Sequence, residues 1–269
     1  MHRRHFAGLS VVVLMGTLGL TSCAASAAGG SASPSPTSSS SAAVIGTDSS
    51  AGAGMGSVAA PLVCDAVDLK PGATVSGTDL AACVVAYSTA AGSGHEVFTA
   101  SDGTSGEVDF EFGDAPAMSG SVTASDGTTS FVLTPSESWV TIDGAWVRGV
   151  SGSSDPHELL ADTVGQAYRA MADPSVAAGF LSASESWTVQ EDQDVITLPG
   201  GEEVLSWRVQ SDAPFPAFGG EVQEMIVWLT SGHVPVGNQA TVSVGGVQTT
   251  TSQRYSSWGM PVSIVPPTQ

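Results

Sequence analysis

Few side chains in this 269-residue sequence have the type and spacing to do covalent chemistry. Beyond the N-terminal region the histidines are His95, His157 and His233, far apart and without the i, i+4 spacing by which one helix offers two imidazoles to a metal. They read as solvated or capping side chains. Serine is plentiful, yet no Gly-x-Ser-x-Gly elbow and no Ser-x-x-Lys pair occurs, and the sole lysine, Lys70, precedes Pro71 in a loop-like stretch. Glu191-Asp192-Gln193-Asp194 gathers carboxylates at what reads as a hairpin end, without the length or spacing of a calcium loop. No pair among the 26 acidic residues is singled out for glycoside hydrolysis. Three cysteines are too few for a zinc finger or an iron–sulfur site. The expected sets of catalytic residues, metal ligands and cofactors are therefore empty.

The cysteines carry chemistry of another kind. Met1-His2-Arg3-Arg4-His5 is a positive n-region, and Phe6 to Leu20 is an apolar stretch of about 22 Å at ~1.5 Å per helical residue, short of a ~30 Å span. The run reads as a signal peptide covering residues 1–22, with an anchor helix as the weaker reading. It ends in Leu20-Thr21-Ser22-Cys23, which resembles the bacterial lipobox. Cys23 is then the acylated mature N-terminus; ordinary secretion with an incidental Cys23 is the alternative. Acyl chains add roughly 0.8 kcal/mol of membrane affinity per buried methylene, so the expected location is the outer face of the bacterial cell membrane. Cys64 and Cys83 remain as an even pair in an oxidising compartment, where a disulfide is the default and two free buried thiols the alternative.

Charge narrows the partners. Seven Lys+Arg against 26 Asp+Glu give −19, and without residues 1–22, which hold two arginines and no acid, −21. Phosphate-rich nucleic acid is disfavoured, and the field repels anionic lipid head groups, so the lipid and not surface charge must hold the chain at the cytoplasmic membrane. Residues 23–59 are mostly Ala, Ser, Gly, Pro and Thr, with one charge, Asp48, and no aromatic ring. With almost nothing to bury, they are expected to be a disordered tether whose mean reach is about 30–35 Å. Residues 60–269 suit a single domain.

Within that domain, period-two alternation and glycine turns predict antiparallel strands in a meander. Glu107-Val108-Asp109-Phe110-Glu111-Phe112 is the clearest case, with apolar side chains on one face and carboxylates on the other. Asp102-Gly103, Asp126-Gly127 and Asp143-Gly144 mark tight turns. Further strands are read at 120–124, 130–133, 139–142, 145–148, 187–190, 195–198, 204–210, 222–229, 239–244, 247–255 and 262–265. A helix is expected from Asp79 to Ala91 with Thr78 as N-cap, and a second opens at Asp155-Pro156-His157-Glu158 and runs to Met171. A shorter one starts at Asp173-Pro174 and buries Val176 and Phe180. The fold class is α+β.

This order of parts resembles the LppX/LprG envelope lipoproteins, relatives of the LolA-like carriers. The likeness is carried by Ser138-Trp139-Val140-Thr141-Ile142-Asp143-Gly144-Ala145-Trp146-Val147 leading into the long helix, by the run from Ala170 to Gln210, and by the ending Arg254-Tyr255-Ser256-Ser257-Trp258-Gly259-Met260-Pro261-Val262. The Cys64/Cys83 pair and the single lysine depart from the family pattern. The resemblance implies a half-barrel, a strongly curved antiparallel meander sheet with helices packed on its concave face, and between them an apolar cavity that accepts lipid or lipoglycan acyl chains. It implies a binding protein that presents or shuttles lipid, not an enzyme. The alternative is a tethered interaction or sensor domain with a filled core, its protein partners unnamed. Candidate lining residues are Leu160, Val164, Tyr168, Phe180, Leu205, Trp207 and Val209. Met225-Ile226-Val227-Trp228 is an unbroken apolar run whose inward face the pattern leaves undecided.

Overall fold

The computed structural model describes residues 58–113, 115–171, 173–217 and 219–268; Cys23 and the tether as far as residue 57 lie outside the described residues. A 3-10 turn at Leu62–Ala66 precedes β1 (Thr74–Ser76) and α1 (Gly77–Ala91). Six strands follow as a meander: β2 (Ser93–Ala100), β3 (Ser105–Glu111), β4 (Ala117–Ala124), β5 (Gly127–Leu133), β6 (Ser138–Ile142) and β7 (Ala145–Arg148). After α2 (Pro156–Met171) and α3 (Pro174–Ser182) come β8 (Ser186–Thr197), β9 (Glu203–Ser211), β10 (Phe215–Ala217), β11 (Gly220–Leu229), β12 (Pro235–Val244) and β13 (Val247–Ser256).

One antiparallel sheet holds all thirteen strands, in the order β1-β8-β9-β11-β12-β13-β2-β3-β4-β5-β6-β7, with β10 beside β11. The path does not close, so β1 and β7 are edges. Each strand pair adds right-handed twist, and a sheet this wide stays packed only by curling. Gly120 of β4 passes close to β3, where a Cβ would overlap the Glu107 carbonyl. The fold is an α+β protein built on an open, curved sheet.

Residues directly opposite on neighbouring strands share a face, so the register traces one face across the sheet. Val189 faces Val209, Val209 faces Val227, Val227 faces Asn238, and Asn238 faces Gln253. Two residues along β13, Tyr255 faces Glu96; the row continues through Val108, Gly120, Phe131, Val140 and Val147. The helices lie on this inner face. Leu80, Ala81 and Cys83 of α1 and Leu181 of α3 bury Val189, Val209, Val227 and Leu229. At the other end Ala161, Val164 and Tyr168 of α2 bury Val108, Phe131 and Val140. A third cluster, Tyr87, Phe110 and Trp258, lies at the C-terminal end of α1.

The apolar run of β11 now has its reason: both faces are covered. Met225, Val227 and Leu229 enter the α1/α3 core, whereas Ile226 and Trp228 point outward and pack with Ile196, Leu198 and Val236.

Local chemistry sets the helix boundaries, with one correction. The N-cap of α1 is Ser76, not Thr78: its Oγ accepts from Asp79 N at 3.0 Å and donates to Asp79 Oδ2 at 2.7 Å. Asp155 caps α2 through His157 N at 2.8 Å, and Asp173 caps α3 through Ser175 N at 2.8 Å. In the β6–β7 hairpin Asp143 and Gly144 both take positive φ, 52° and 79°, as a type I′ turn needs. Gly165 lets α2 sit on β6, because a Cβ there would overlap the Ser138 side chain.

Three strand expectations are corrected. The runs at 187–190 and 195–198 are one strand, β8, and Glu191-Asp192-Gln193-Asp194 is no hairpin end but part of a bulge and its exit. Three residues of β8 stand there against Arg208 alone on β9, and the extra residues bend the strand instead of reversing it. Residues 262–265 form no strand: Pro261, Pro266 and Pro267 withhold backbone donors around them. And β2, absent from the sequence reading, is a central strand.

Candidate functional site

The middle of the inner face differs from its two ends. Under α1/α3 and under α2 it is apolar, but where β12, β13 and β2 run side by side it presents Asn238, Gln253, Tyr255 and Glu96. These four half-buried side chains form one chain of hydrogen bonds. Asn238 Nδ2 donates to Tyr255 Oη at 2.7 Å, Tyr255 Oη donates to Gln253 Oε1 at 3.2 Å, and Gln253 Nε2 donates to Glu96 Oε1 at 2.5 Å. Gly94 and Phe98 flank Glu96 along β2, and Val108 faces it from β3.

Desolvation governs the titration here. The protein around Glu96 pushes its carboxyl up to about 7, against the bond from Gln253 and the charge of His95. The same desolvation holds the Tyr255 phenol well above its usual value, and Tyr87, fully buried nearby against Trp258, is pushed up to about 12 with its hydroxyl unpartnered. Near neutral pH the strip therefore offers a carboxyl that exchanges its proton easily, two amides and a neutral phenol. Such a set can donate to carbonyls and exchange hydrogen bonds with hydroxyls.

The seven proposed lining residues do not share one space. Val164 and Tyr168 pack in the α2 core, where the Tyr168 ring stacks on Phe131 at 4.2 Å between centroids. Trp207, Val209 and Phe180 belong to the α1/α3 core, Phe180 meeting Phe215 edge-on at 6.2 Å. Leu160 is half-buried on the first turns of α2. Leu205 is a correction: it is 59% exposed and faces Val195, itself 58% exposed, because the β8–β9 hairpin runs past the edge of the helical cover.

Cys64 and Cys83 are joined in a disulfide that ties the 3-10 turn to α1. The histidines lie apart: His95 Nδ1 pairs with Asp109 Oδ1 at 2.8 Å on the outer face, His233 Nε2 meets the Val67 carbonyl at 2.9 Å, and His157 is exposed. Among the described residues no cluster of three or more His, Cys, Asp or Glu could hold a metal, and no helix is long and apolar enough to cross a membrane.

The sequence reading missed the strip because β2 sets Glu96 at a core-facing position that a period-two pattern reserves for an apolar residue. The usable signal was the alternation Gly94, Glu96, Phe98 opposite Tyr255 and Gln253.

Fold and site together define an α+β protein with an open sheet, helices on one face and a polar strip between two apolar cores. No family model and no curated protein matches the chain. Among solved structures it is similar to the hypothetical protein CT021 from Chlamydia trachomatis, at 9% identity and a TM-score of 0.33 over 73% of this chain and 99% of that one. It is also similar to the LolA superfamily protein NE2245 from Nitrosomonas europaea, at 10% identity and a TM-score of 0.25 over 68% of this chain and 92% of that one. Likeness at this level carries no inference about activity.

Proposed function

We propose that the chain is an exported lipoprotein, held to the outer face of the cell membrane by acylation of Cys23, whose inner sheet face binds lipid or lipoglycan acyl chains and presents or shuttles them. The supporting observation is the amphipathic inner face: the half-buried row Asn238, Gln253, Tyr255 and Glu96 lies between two apolar clusters on the same sheet surface. Acyl chains gain about 25 cal/mol per Å2 of apolar surface removed from water, and the polar row suits the ester carbonyls and sugar hydroxyls that accompany them. The resemblance to LppX/LprG lipoproteins, carried by the hairpin before α2 and by the Tyr255 to Val262 ending, agrees with this reading.

A second reading, a tethered interaction or sensor domain, is favoured by the contacts that Tyr168, Phe180 and Val209 already make inside closed cores. Native mass spectrometry separates the two. The chain lacking residues 1–22 and carrying Cys23→Ser is incubated with bacterial lipid extract. Co-purifying acylated species and a raised melting temperature are expected for the carrier. A bare polypeptide with unchanged melting temperature sinks it and leaves the interaction domain.

A further inference from the structure

The hydrogen-bond chain of the polar strip ends on one carboxyl group, and only half of that group is used. Glu96 Oε1 accepts from Gln253 Nε2 at 2.5 Å, the last link of the series that starts at Asn238 and passes through Tyr255. Its second oxygen, Oε2, has no hydrogen-bond partner among the described residues and is not one of the polar atoms sealed from solvent. A carboxyl oxygen therefore stays open on the half-buried floor between the two helical covers. Val108, directly opposite Glu96, belongs to the α2 core, so an acyl chain lying in that core begins beside this oxygen.

Among the described residues no cation meets Glu96 on its own side of the sheet. Its charged neighbours alternate to the other face: His95 bonds Asp109 at 2.8 Å, Arg254 lies over the Trp228 ring, and Glu107 stands opposite Val97. On the inner side the neighbours are Gly94, Phe98, Val108, Phe110, Gln253 and Tyr255. The one charged residue of α1, Asp79, is in its first turn, while Tyr87 sits at the other end, in the cluster that Tyr255 packs against. From α2, Tyr168 enters the core that holds Val108, and Arg169 is bound to the Thr134 and Glu137 carbonyls before β6. The titratable groups facing Glu96 are thus three phenols, and burial holds all three above their usual value.

A carboxylate in this place has one amide donor and no counter-charge. A carboxylic acid keeps that bond and carries its O–H on Oε2. The open oxygen is a donor in the acid and only an acceptor in the carboxylate. A ligand carbonyl meets the first and is repelled by the second, whereas a ligand hydroxyl can bond to both. We propose that the acid form of Glu96 holds the uncharged ester carbonyl at the head of a bound acyl chain, donating from Oε2, and that loss of this one proton to solvent releases the lipid. Burial raises the carboxyl to about 7, so both forms are reached near neutral pH. The assignment rests on the lipid-binding reading and adds to it the group that is held and the proton that governs release.

Calorimetric titration of the chain lacking residues 1–22 and carrying Cys23→Ser, from about pH 5.5 to about pH 8.5, tests it with two probes, methyl octanoate and octanol. The ester is expected to bind with constant affinity well below about 7 and to lose about tenfold per pH unit above it, the signature of one bound proton. Octanol, which bonds to either form, is expected to hold its affinity and so reports an intact fold. Glu96→Gln keeps an acceptor for Gln253 and a donor that cannot ionise, so the ester is expected to bind it throughout the range. Glu96→Leu is expected to weaken the ester markedly at the acid end, and His95→Gln to leave the steepness unchanged. An ester affinity indifferent to pH, an octanol affinity falling as steeply, a dependence that survives in Glu96→Gln, or one abolished by His95→Gln overturns the assignment. Should Glu96→Leu fail to fold, Glu96→Gln and the two probes on the unchanged chain decide. Lipid recovered from extract with the ester silent at every pH overturns the carbonyl contact and leaves lipid binding standing; silence in both assays removes both.

Discussion

The two ends of the inner face are built differently. Under α1 and α3, Leu80, Cys83, Trp187, Val189, Val209, Val222 and Leu229 are fully shut from solvent, two helices share the cover, and a disulfide ties α1 to the preceding turn. Under α2, Ala161 and Gly165 are the only buried residues among those of the helix whose burial is described, while Leu160, Val164 and Tyr168 remain half-buried. One helix, seated through small residues on β6 and through one aromatic stack, covers that half. Apolar area removed from water is what holds a helix to a sheet, so the α2 half is the one that uncovers at the smaller cost. On the lipid-binding reading proposed above, the α2 half is the side at which an acyl chain enters between sheet and helix.

The largest effect that separates the halves is a matched pair of truncations. Trp187 is fully buried and donates Nε1 to the Leu181 carbonyl at 3.2 Å, so Trp187→Ala leaves a large void and an orphaned acceptor. It is expected to cost about 4 kcal/mol in urea denaturation, against about 2 kcal/mol for Tyr168→Ala, whose ring is already partly wet. Equal losses would mean that the two covers are equally tight. Next in size is the disulfide. Its 19-residue separation corresponds to about 3 kcal/mol in the chain-entropy model, so reduction or Cys83→Ser is expected to lower stability by that order. Hydrogen exchange sharpens the comparison: after reduction, protection falls in α1 and β8, and amides of α2 keep their rates if the halves open independently.

Much of this division was legible from side-chain pattern alone. The bounds of α2 follow from Asp155-Pro156 and its apolar stripe, the β6–β7 hairpin from Asp143-Gly144, and the Cys64–Cys83 bond from an even pair of cysteines in a chain read as exported. What stayed hidden was non-local. A bulge in β8 looks like a turn because its carboxylates point to water either way, and only the register against Arg208 shows that the strand goes on. The seven lining candidates have core spacing within their own elements, yet the twist that sends Val164 and Val209 into different cores accumulates over strands that no local window contains. The polar strip failed for the opposite reason: burying Glu96 breaks the pattern that the reading depends on, and local rules break at sites.

The smallest expected effect concerns the strip between the halves. In the unfolded chain Glu96 titrates near 4.5, whereas burial raises it to about 7 in the fold. Below the lower value both states carry the proton and its full favourable contribution is present. As pH rises between the two values the unfolded state releases the proton while the folded state keeps it, so the unfolded state binds fewer protons and stability falls; above about 7 both are ionised and the loss is complete. The groups that face Glu96 do not mask this window: Tyr255 ionises well above it, Gln253 and Val108 do not titrate, and the His95 charge on the outer face only lowers the Glu96 value. Asp102 and Asp173, whose bonded carboxylates sit below their usual value, act with the opposite sign and at lower pH. Glu96→Gln is therefore expected to flatten the stability profile from about 4.5 to about 7, by on the order of 2 kcal/mol at ~1.4 kcal/mol per pH unit and after allowance for partial solvent access. Urea midpoints of both proteins on either side of the window measure it. A wild-type profile that rises through the same interval would place Glu96 in water and leave no desolvated strip between the two cores.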